Sequence, residues 1–252
     1  KYAVTVRKRE DLARIIHNAF YIAKSGKPGV VVVDIPKDIQ LALGTDDYPK
    51  DINIRGYNPN TSVHMGQVNK AMEILSKAIK PVFLIGGGVN IAHANELMTK
   101  LSEITGVPVV TTMMGKGAIP TTHELYVGNI GIHGSYAANT AIANCDVLFS
   151  IGTRFNDRIT GKIEEFAKKA TIIHVDIDPA AISKNISVDI PIVADAKIAI
   201  EAILKKAKKL NIDEWRNQIS EWKETHPIKM EESEDILTPE YIIRKINKTP
   251  PI

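Results

Sequence analysis

Apolar residues recur every three to four positions through Leu12, Ile15, Ile16, Ala19, Phe20 and Ala23, a spacing that predicts a helix. Ser25-Gly26-Lys27-Pro28-Gly29 interrupts it, and the unbroken run at residues 30–35, closed by Pro36, predicts a strand covered on both faces. Residues 41–65 have no clear period and few apolar positions, so they read as a linker. Beyond them helix and strand patterns alternate. Helices are predicted over residues 67–79, 92–105, 136–144 and 196–210, and strands over 81–85, 107–111, 147–151, 171–175 and 190–193. Five strands interleaved with helices imply an α/β fold with an open parallel sheet and helices on both faces. From Asp213 the pattern changes. Trp215 and Trp222 stand seven apart, residues 231–235 are polar, and Thr238-Pro239-Glu240 signals another helix start, so residues 211–252 read as a connector.

Composition narrows the picture only a little. The 252 residues are 44% hydrophobic and 24% charged, as in a globular protein. Thirty-two Lys and Arg against 29 Asp and Glu leave a net charge of +3, too balanced to argue for nucleic acid or a membrane surface. The one cysteine, Cys145, excludes an internal disulfide and any multi-cysteine zinc site. No second histidine lies at metal-ligand spacing from His133, so no metal site is expected within the chain. Lys1 in place of Met, and an end on Thr249-Pro250-Pro251-Ile252, lead us to expect an interior piece of a longer polypeptide.

In open α/β sheets ligands bind beyond the carboxyl ends of the strands, so the residues there are the candidate site. They are Gly86-Gly87-Gly88; Thr112-Met113-Met114-Gly115-Lys116-Gly117; Gly152-Thr153-Arg154-Phe155-Asn156-Asp157-Arg158; Asp176-Ile177-Asp178; and Asp195. Successive glycines let backbone N–H groups approach a phosphate, arginines match a diphosphate, and a strand-end carboxylate accepts from ribose hydroxyls. Each has a plain structural reading as well. A triple glycine serves turns, Arg154 and Arg158 serve surface ion pairs, and Asp178 before Pro179 serves as a helix cap. His133 reads as a turn residue, His174 and Cys145 as core, and the tryptophans as packing. Their joint occurrence at successive strand ends favours a nucleotide-like ligand lying across the sheet edge.

Several runs then resemble a known family. Gly26-Lys27-Pro28-Gly29-Val30 through Val33-Asp34-Ile35-Pro36-Lys37-Asp38 resembles the end of the pyrimidine-binding domain of thiamine-diphosphate enzymes. Pro108-Val109-Val110-Thr111-Thr112-Met113-Met114-Gly115-Lys116-Gly117 is similar to the catalytic subunit of the acetolactate (acetohydroxyacid) synthases. So are Gly131-Ile132-His133-Gly134 with Tyr136-Ala137-Ala138-Asn139, and Arg154-Phe155-Asn156-Asp157-Arg158-Ile159-Thr160-Gly161-Lys162. Ile173-His174-Val175-Asp176-Ile177-Asp178-Pro179, Lys184-Asn185 and Ala194-Asp195 follow in the expected order.

The resemblance implies the end of a pyrimidine-binding domain (residues 1–40), the linker (41–65) and a Rossmann-like central FAD-binding domain (66–210). A connector (211–252) would lead to a diphosphate-binding domain. It implies flavin contacts at Gly86, Gly87, Gly88, Thr112, Met113, Met114, Ile130, Gly131, Ile132, His133, Gly152, Thr153, Arg154, Asn156, Arg158, Ile159, Asp176, Ile177, Asp195 and Ala196. Arg158 is the one catalytic candidate, holding the carboxylate of a second 2-oxo acid with Asp157 orienting its guanidinium. The family usually has Asp where this chain has Asn156, and an Arg of some relatives is missing near Thr45. The residues that hold thiamine diphosphate and Mg²⁺ would lie outside the chain, which is therefore expected to be inactive alone. As partners the resemblance implies 2-oxo acids, a homodimer or homotetramer and a small regulatory subunit, in the cytoplasm.

Glyoxylate carboligase and pyruvate oxidase are neighbouring readings, against which the run at 154–162 argues. A non-catalytic nucleotide-binding module is the reading from another class. A sirtuin-like deacylase, needing four zinc-binding cysteines, is excluded by the cysteine count.

Overall fold

The computed structural model describes residues 1–45, 47–52, 54–228 and 237–248; the polar stretch at 231–235 lies outside them. The chain opens with a small β-α-β unit. Strand β1 (Tyr2–Thr5) pairs in parallel with β2 (Val31–Asp34), Tyr2 opposite Val31 and Val4 opposite Val33. Helix α1 (Leu12–Lys24) joins them and buries Ala19 and Ile22. A short α2 (Lys37–Leu41) follows Pro36. No helix or strand occurs among the described residues between Leu41 and Met65, where a linker was expected.

The main body is a six-stranded parallel sheet in the order β5-β4-β3-β6-β7-β8. Its strands are β3 (Pro81–Ile85), β4 (Val109–Thr111), β5 (Tyr126–Asn129), β6 (Val147–Ile151), β7 (Thr171–Asp176) and β8 (Ile190–Val193). Counted from β3 the order is 3-2-1-4-5-6, the doubly wound arrangement. Helices α3 (Met65–Lys77), α5 (Asn95–Thr105) and α8 (Ala196–Leu204) pack on one face, α6 (Tyr136–Asn144) and α9 (Asp213–Thr225) on the other. A sheet clad this way must be apolar throughout, and every residue of β3, β4 and β6 is buried. Register partners Phe83 and Phe149 meet edge to face at its centre, ring centroids 5.6 Å apart. Cys145, also buried, has its thiol pushed up to about 12 by burial.

Three departures from the sequence expectations have local causes. The sheet has six strands, not five, because Tyr126-Val127-Gly128-Asn129 adds an edge strand beside β4. The helix expected at 92–105 begins later, as α5 (Asn95–Thr105), and a separate short α4 (Gly87–Ile91) forms ahead of it from the glycine stretch, the chain turning between them at His93, whose φ is +50°. The helix expected to reach residue 210 stops at Leu204, and Leu210 turns back so that its N–H donates to the Thr105 carbonyl at the end of α5. Helix α9 lies on the central core through Trp215 and Ile219, and the Trp215 indole donates to the Pro81 carbonyl at 3.1 Å. The last helix, α10 (Pro239–Lys248), begins at the expected Thr238, whose hydroxyl accepts from Tyr241 N–H. No helix among the described residues is long and apolar enough to cross a membrane.

Candidate functional site

The strand order reverses between β3 and β6, so the loops leaving these two strands flank the crevice where doubly wound sheets bind ligands. They touch. Gly86 N–H donates to Ile151 O at 2.9 Å and Gly88 N–H to Gly152 O at 3.1 Å. A Cβ on Gly86 would collide with the Gly152 carbonyl, and one on Gly88 would stand 2.7 Å from Gly152 Cα. Two of the three glycines are thus required by the approach of one loop to the other. Gly152 itself turns at φ +66°. Of the three N–H groups only that of Gly87, in the first turn of α4, bonds nothing among the described residues.

Beyond Gly152 the chain runs out over the edge. Thr153 is buried, Arg154 exposed, Phe155 buried and Asn156 exposed, before the single turn α7 (Asp157–Thr160) presents Arg158. Phe155 anchors the segment: at φ +49° its ring inserts edge-on against His174 (4.9 Å) and Phe166 (5.9 Å). Asn185 Nδ2 donates to the Phe155 carbonyl at 3.0 Å and to the Arg154 carbonyl at 3.3 Å. Neither Arg154 nor Arg158 has an ion-pair partner among the described residues, and Asp157 does not pair with Arg158. What places α7 is the loop after β5, since Ile132 N–H donates to the Arg158 carbonyl at 3.2 Å.

Two further loops complete the edge. After β4, Thr112 Oγ1 accepts from Gly115 N–H and caps a tight turn that leaves Met113 and Met114 70% and 74% exposed. Asn90 Nδ2 clamps this loop through the Met114 and Lys116 carbonyls. After β5, Ile130 is buried, and Asn139 grips both sides of Gly131 through its N–H (3.0 Å) and carbonyl (3.1 Å). Ile132 is then 67% exposed and His133 exposed beside it.

The carboxylates divide by role. Asp176 is buried at the end of β7, and one of its oxygens accepts from Asp178 N–H. Asp178 caps the turn at Pro179 through Ala180 N–H and pairs with Lys27 at 2.8 Å. That ammonium holds its carboxyl below the usual carboxylate range. Asp195 Oδ1 caps α8, accepting from Lys197 and Ile198 N–H groups, with Ala196 buried behind it. Ile177 and Ile159 are half-buried along the same rim.

Every residue of the expected flavin-contact set therefore lies along one sheet edge, on or just beyond the loops leaving β3 to β8 in turn. Sequence reasoning passed over the residues that shape these loops: Asn90, Asn139, Phe155 and a clamping role for Asn185. None carries a motif of its own, because each acts through main-chain carbonyls and N–H groups of a distant loop. Two grooves lie away from this edge. One runs between β5 and α9 beside Tyr126 and Lys223; the other lies between α3 and the lysines that follow α8.

Compared with known proteins, residues 68–203 match the family model described as "Thiamine pyrophosphate enzyme, central domain". The chain is 41% identical to an acetolactate synthase of Mycobacterium bovis, over 98% of this chain and 41% of that protein. It is 39% identical to the acetolactate synthase large subunit of Buchnera aphidicola, over 98% of this chain and 44% of the relative. It is 37% identical to the acetolactate synthase isozyme 3 large subunit of Escherichia coli, with the same coverage. The chain spans about two-fifths of the length of these curated relatives.

Proposed function

This chain belongs to the thiamine pyrophosphate enzymes, through the central domain at residues 68–203, and from that premise we propose that its sheet edge binds FAD within an acetolactate synthase. Such an enzyme condenses pyruvate with a second 2-oxo acid, pyruvate or 2-oxobutanoate, with loss of CO₂, in branched-chain amino-acid biosynthesis. Residues 1–40 then read as the end of the pyrimidine-binding domain, 66–210 as the FAD-binding domain and 211–252 as the lead into a diphosphate-binding domain. The likeness to a relative called a large subunit supports a small partner subunit.

One observation carries the reading. Two exposed arginines with no ion-pair partner among the described residues, a buried carboxylate and three exposed apolar side chains (Met113, Met114 and Ile132) share one rim across the switch point. Large apolar side chains held in the open beside unanswered charge suit a ligand with a flat apolar ring and an anionic diphosphate. When bound, FAD supplies that ring and diphosphate and takes no net redox part in the synthase reaction; thiamine diphosphate supplies the carbanion chemistry. The chain's own residues bind and orient. Arg154 and the Gly87 N–H answer the diphosphate. Asp176 accepts from ribose hydroxyls, and Met113, Met114 and Ile132 cover the ring. Arg158 holds the carboxylate of the second 2-oxo acid as a planar fork.

Titration of the chain with FAD, followed by quenching of flavin fluorescence, tests the reading. Saturable binding displaced by ADP is expected, with no acetolactate formed from pyruvate even when thiamine diphosphate, Mg²⁺ and FAD are supplied. Failure of both this chain and the longer protein containing it to bind FAD would overturn the assignment.

A further inference from the structure

We propose that His174 is a positioning residue for the arginine-bearing loop: a neutral ring protonated on Nε2, with Ser150 donating to its other nitrogen, fixes the Thr153 carbonyl and with it the path to Arg154 and Arg158. The consequence for ligand binding rests on the FAD reading; the geometry does not.

His174 is fully buried in the middle of β7, and its Nε2 lies 2.8 Å from the Thr153 carbonyl. A carbonyl oxygen only accepts, so Nε2 must carry the proton. The nearest carboxylate, Asp176 Oδ2, is 3.9 Å from the same nitrogen, beyond hydrogen-bond reach. Burial disfavours the charged ring and pulls the pKa of His174 down, against the smaller opposing effects of the Thr153 bond and Asp176. In the neutral ring Nδ1 is then a bare acceptor.

Nδ1 of His174 is buried without a partner, and so is Oγ of Ser150. These two residues are register partners on adjacent parallel strands, so they project from the same face of the sheet, about 4.8 Å apart at the backbone. One lacks a donor and the other has a rotatable hydroxyl to donate. As placed, the two atoms do not bond each other; buried polar groups left unmade are costly, so a turn of the Ser150 side chain pairs these complementary orphans.

What the ring holds is a segment under strain. Phe155, a bulky residue at φ +49°, persists in that conformation only because its surroundings over-determine it. His174 touches its ring and fixes the carbonyl two residues earlier, while Asn185 takes the Arg154 and Phe155 carbonyls from outside. Three consecutive carbonyls are thus held from two sides.

The test uses the full chain with ¹⁵N-labelled histidine; there are seven, and the His174 signals are assigned by their loss in His174→Gln. The Nε2–H tautomer is expected, with the Nδ1 resonance shifting in Ser150→Ala. An Nδ1–H tautomer, a charged ring at neutral pH, or no response to Ser150→Ala overturns the proposal. His174→Leu, which fills the space without donating, should speed amide exchange across residues 153–158 and weaken FAD binding about tenfold, the equivalent of one lost hydrogen bond. His174→Gln, whose amide can still donate, should recover most of both. Unchanged exchange and affinity in His174→Leu overturn the positioning role, and if that variant does not fold, the Gln and Ala variants decide it. Should the unaltered chain bind no FAD, the flavin reading fails, while tautomer and loop exchange still decide the role of His174.

Discussion

Arg154 and Arg158 differ from ordinary surface arginines in making no ion pair among the described residues. A surface pair would contribute under about 1 kcal/mol of stability and no kinetic effect. A guanidinium bonding a substrate carboxylate in a partly desolvated site contributes roughly 1.5–3 kcal/mol, or about 10- to 150-fold in rate if the bond forms in the transition state. Asp157 was expected to orient the Arg158 guanidinium and makes no ion pair with it; what is fixed is the backbone that carries Arg158, through Ile132 N–H on its carbonyl and the close approach of Gly131. In the acetolactate synthase proposed above, Arg158→Lys should therefore lower kcat/KM for the second 2-oxo acid within that range. CO₂ release from pyruvate alone should stay near its original rate, because the lysine keeps α7 in place but cannot form the fork. Equal losses in both steps would remove Arg158 from acceptor binding.

At the scale of elements, the glycines after β3 act chiefly on the neighbouring loop. Gly86→Ala drives a methyl into the backbone of Gly152, which has nowhere to go, and should destabilise the chain by about 3 kcal/mol or more in urea unfolding. Gly87→Ala meets Met114 Cβ at 3.0 Å and should be milder for stability while shifting the methionine loop, read as weaker FAD binding at nearly unchanged stability. Equal stability losses in the two would contradict this division. The long periodic helices and the buried runs of β3, β6 and β7 were legible because period and burial coincide there. Strand β5 was not: four residues at an edge, with Gly128 at φ +145° inside them, carry too little β signal. β1 was missed because the mostly exposed Tyr2–Thr5 becomes a strand only by pairing with β2 across the intervening helix. The site was readable as chemistry at strand ends, but not as a set of clamped loops, since Asn90, Asn139 and Asn185 act across distances the sequence does not display. Nor did Trp215 show its partner. Buried against Lys80 and the Pro81 carbonyl, it pins α9 to the start of β3. Trp215→Ala should cost about 3–5 kcal/mol, measured by thermal or denaturant unfolding, and Trp215→Phe much less.

Across the whole molecule, the N-terminal β-α-β unit and the central sheet are joined at the ends of β7 and β8. Lys27 pairs with Asp178, and Asn60 Nδ2 donates to the Val193 carbonyl at 2.7 Å. The first links two units that the linker would otherwise only tether, and the second fastens the linker itself to the end of β8. The ion pair is partly exposed, so its worth is under about 1 kcal/mol and falls with salt. Its pH dependence has a definite sign. The carboxyl of Asp178 is held below its unfolded range, chiefly by the Lys27 hydrogen bond, so the contribution is complete above that range and is lost as the pH falls below about 4. Asp178→Asn separates the pair from the cap, because asparagine still accepts from Ala180 N–H. At neutral pH and low salt, proteolysis within residues 42–64 should rise a few-fold in Asp178→Asn and in Lys27→Ala. High salt should erase the difference from the unaltered chain, and amide exchange in β1 and β2 should distinguish the three progressively less as the pH falls below about 4. Identical cleavage of all three at neutral pH and low salt would show that Lys27 and Asp178 do not hold the two parts together.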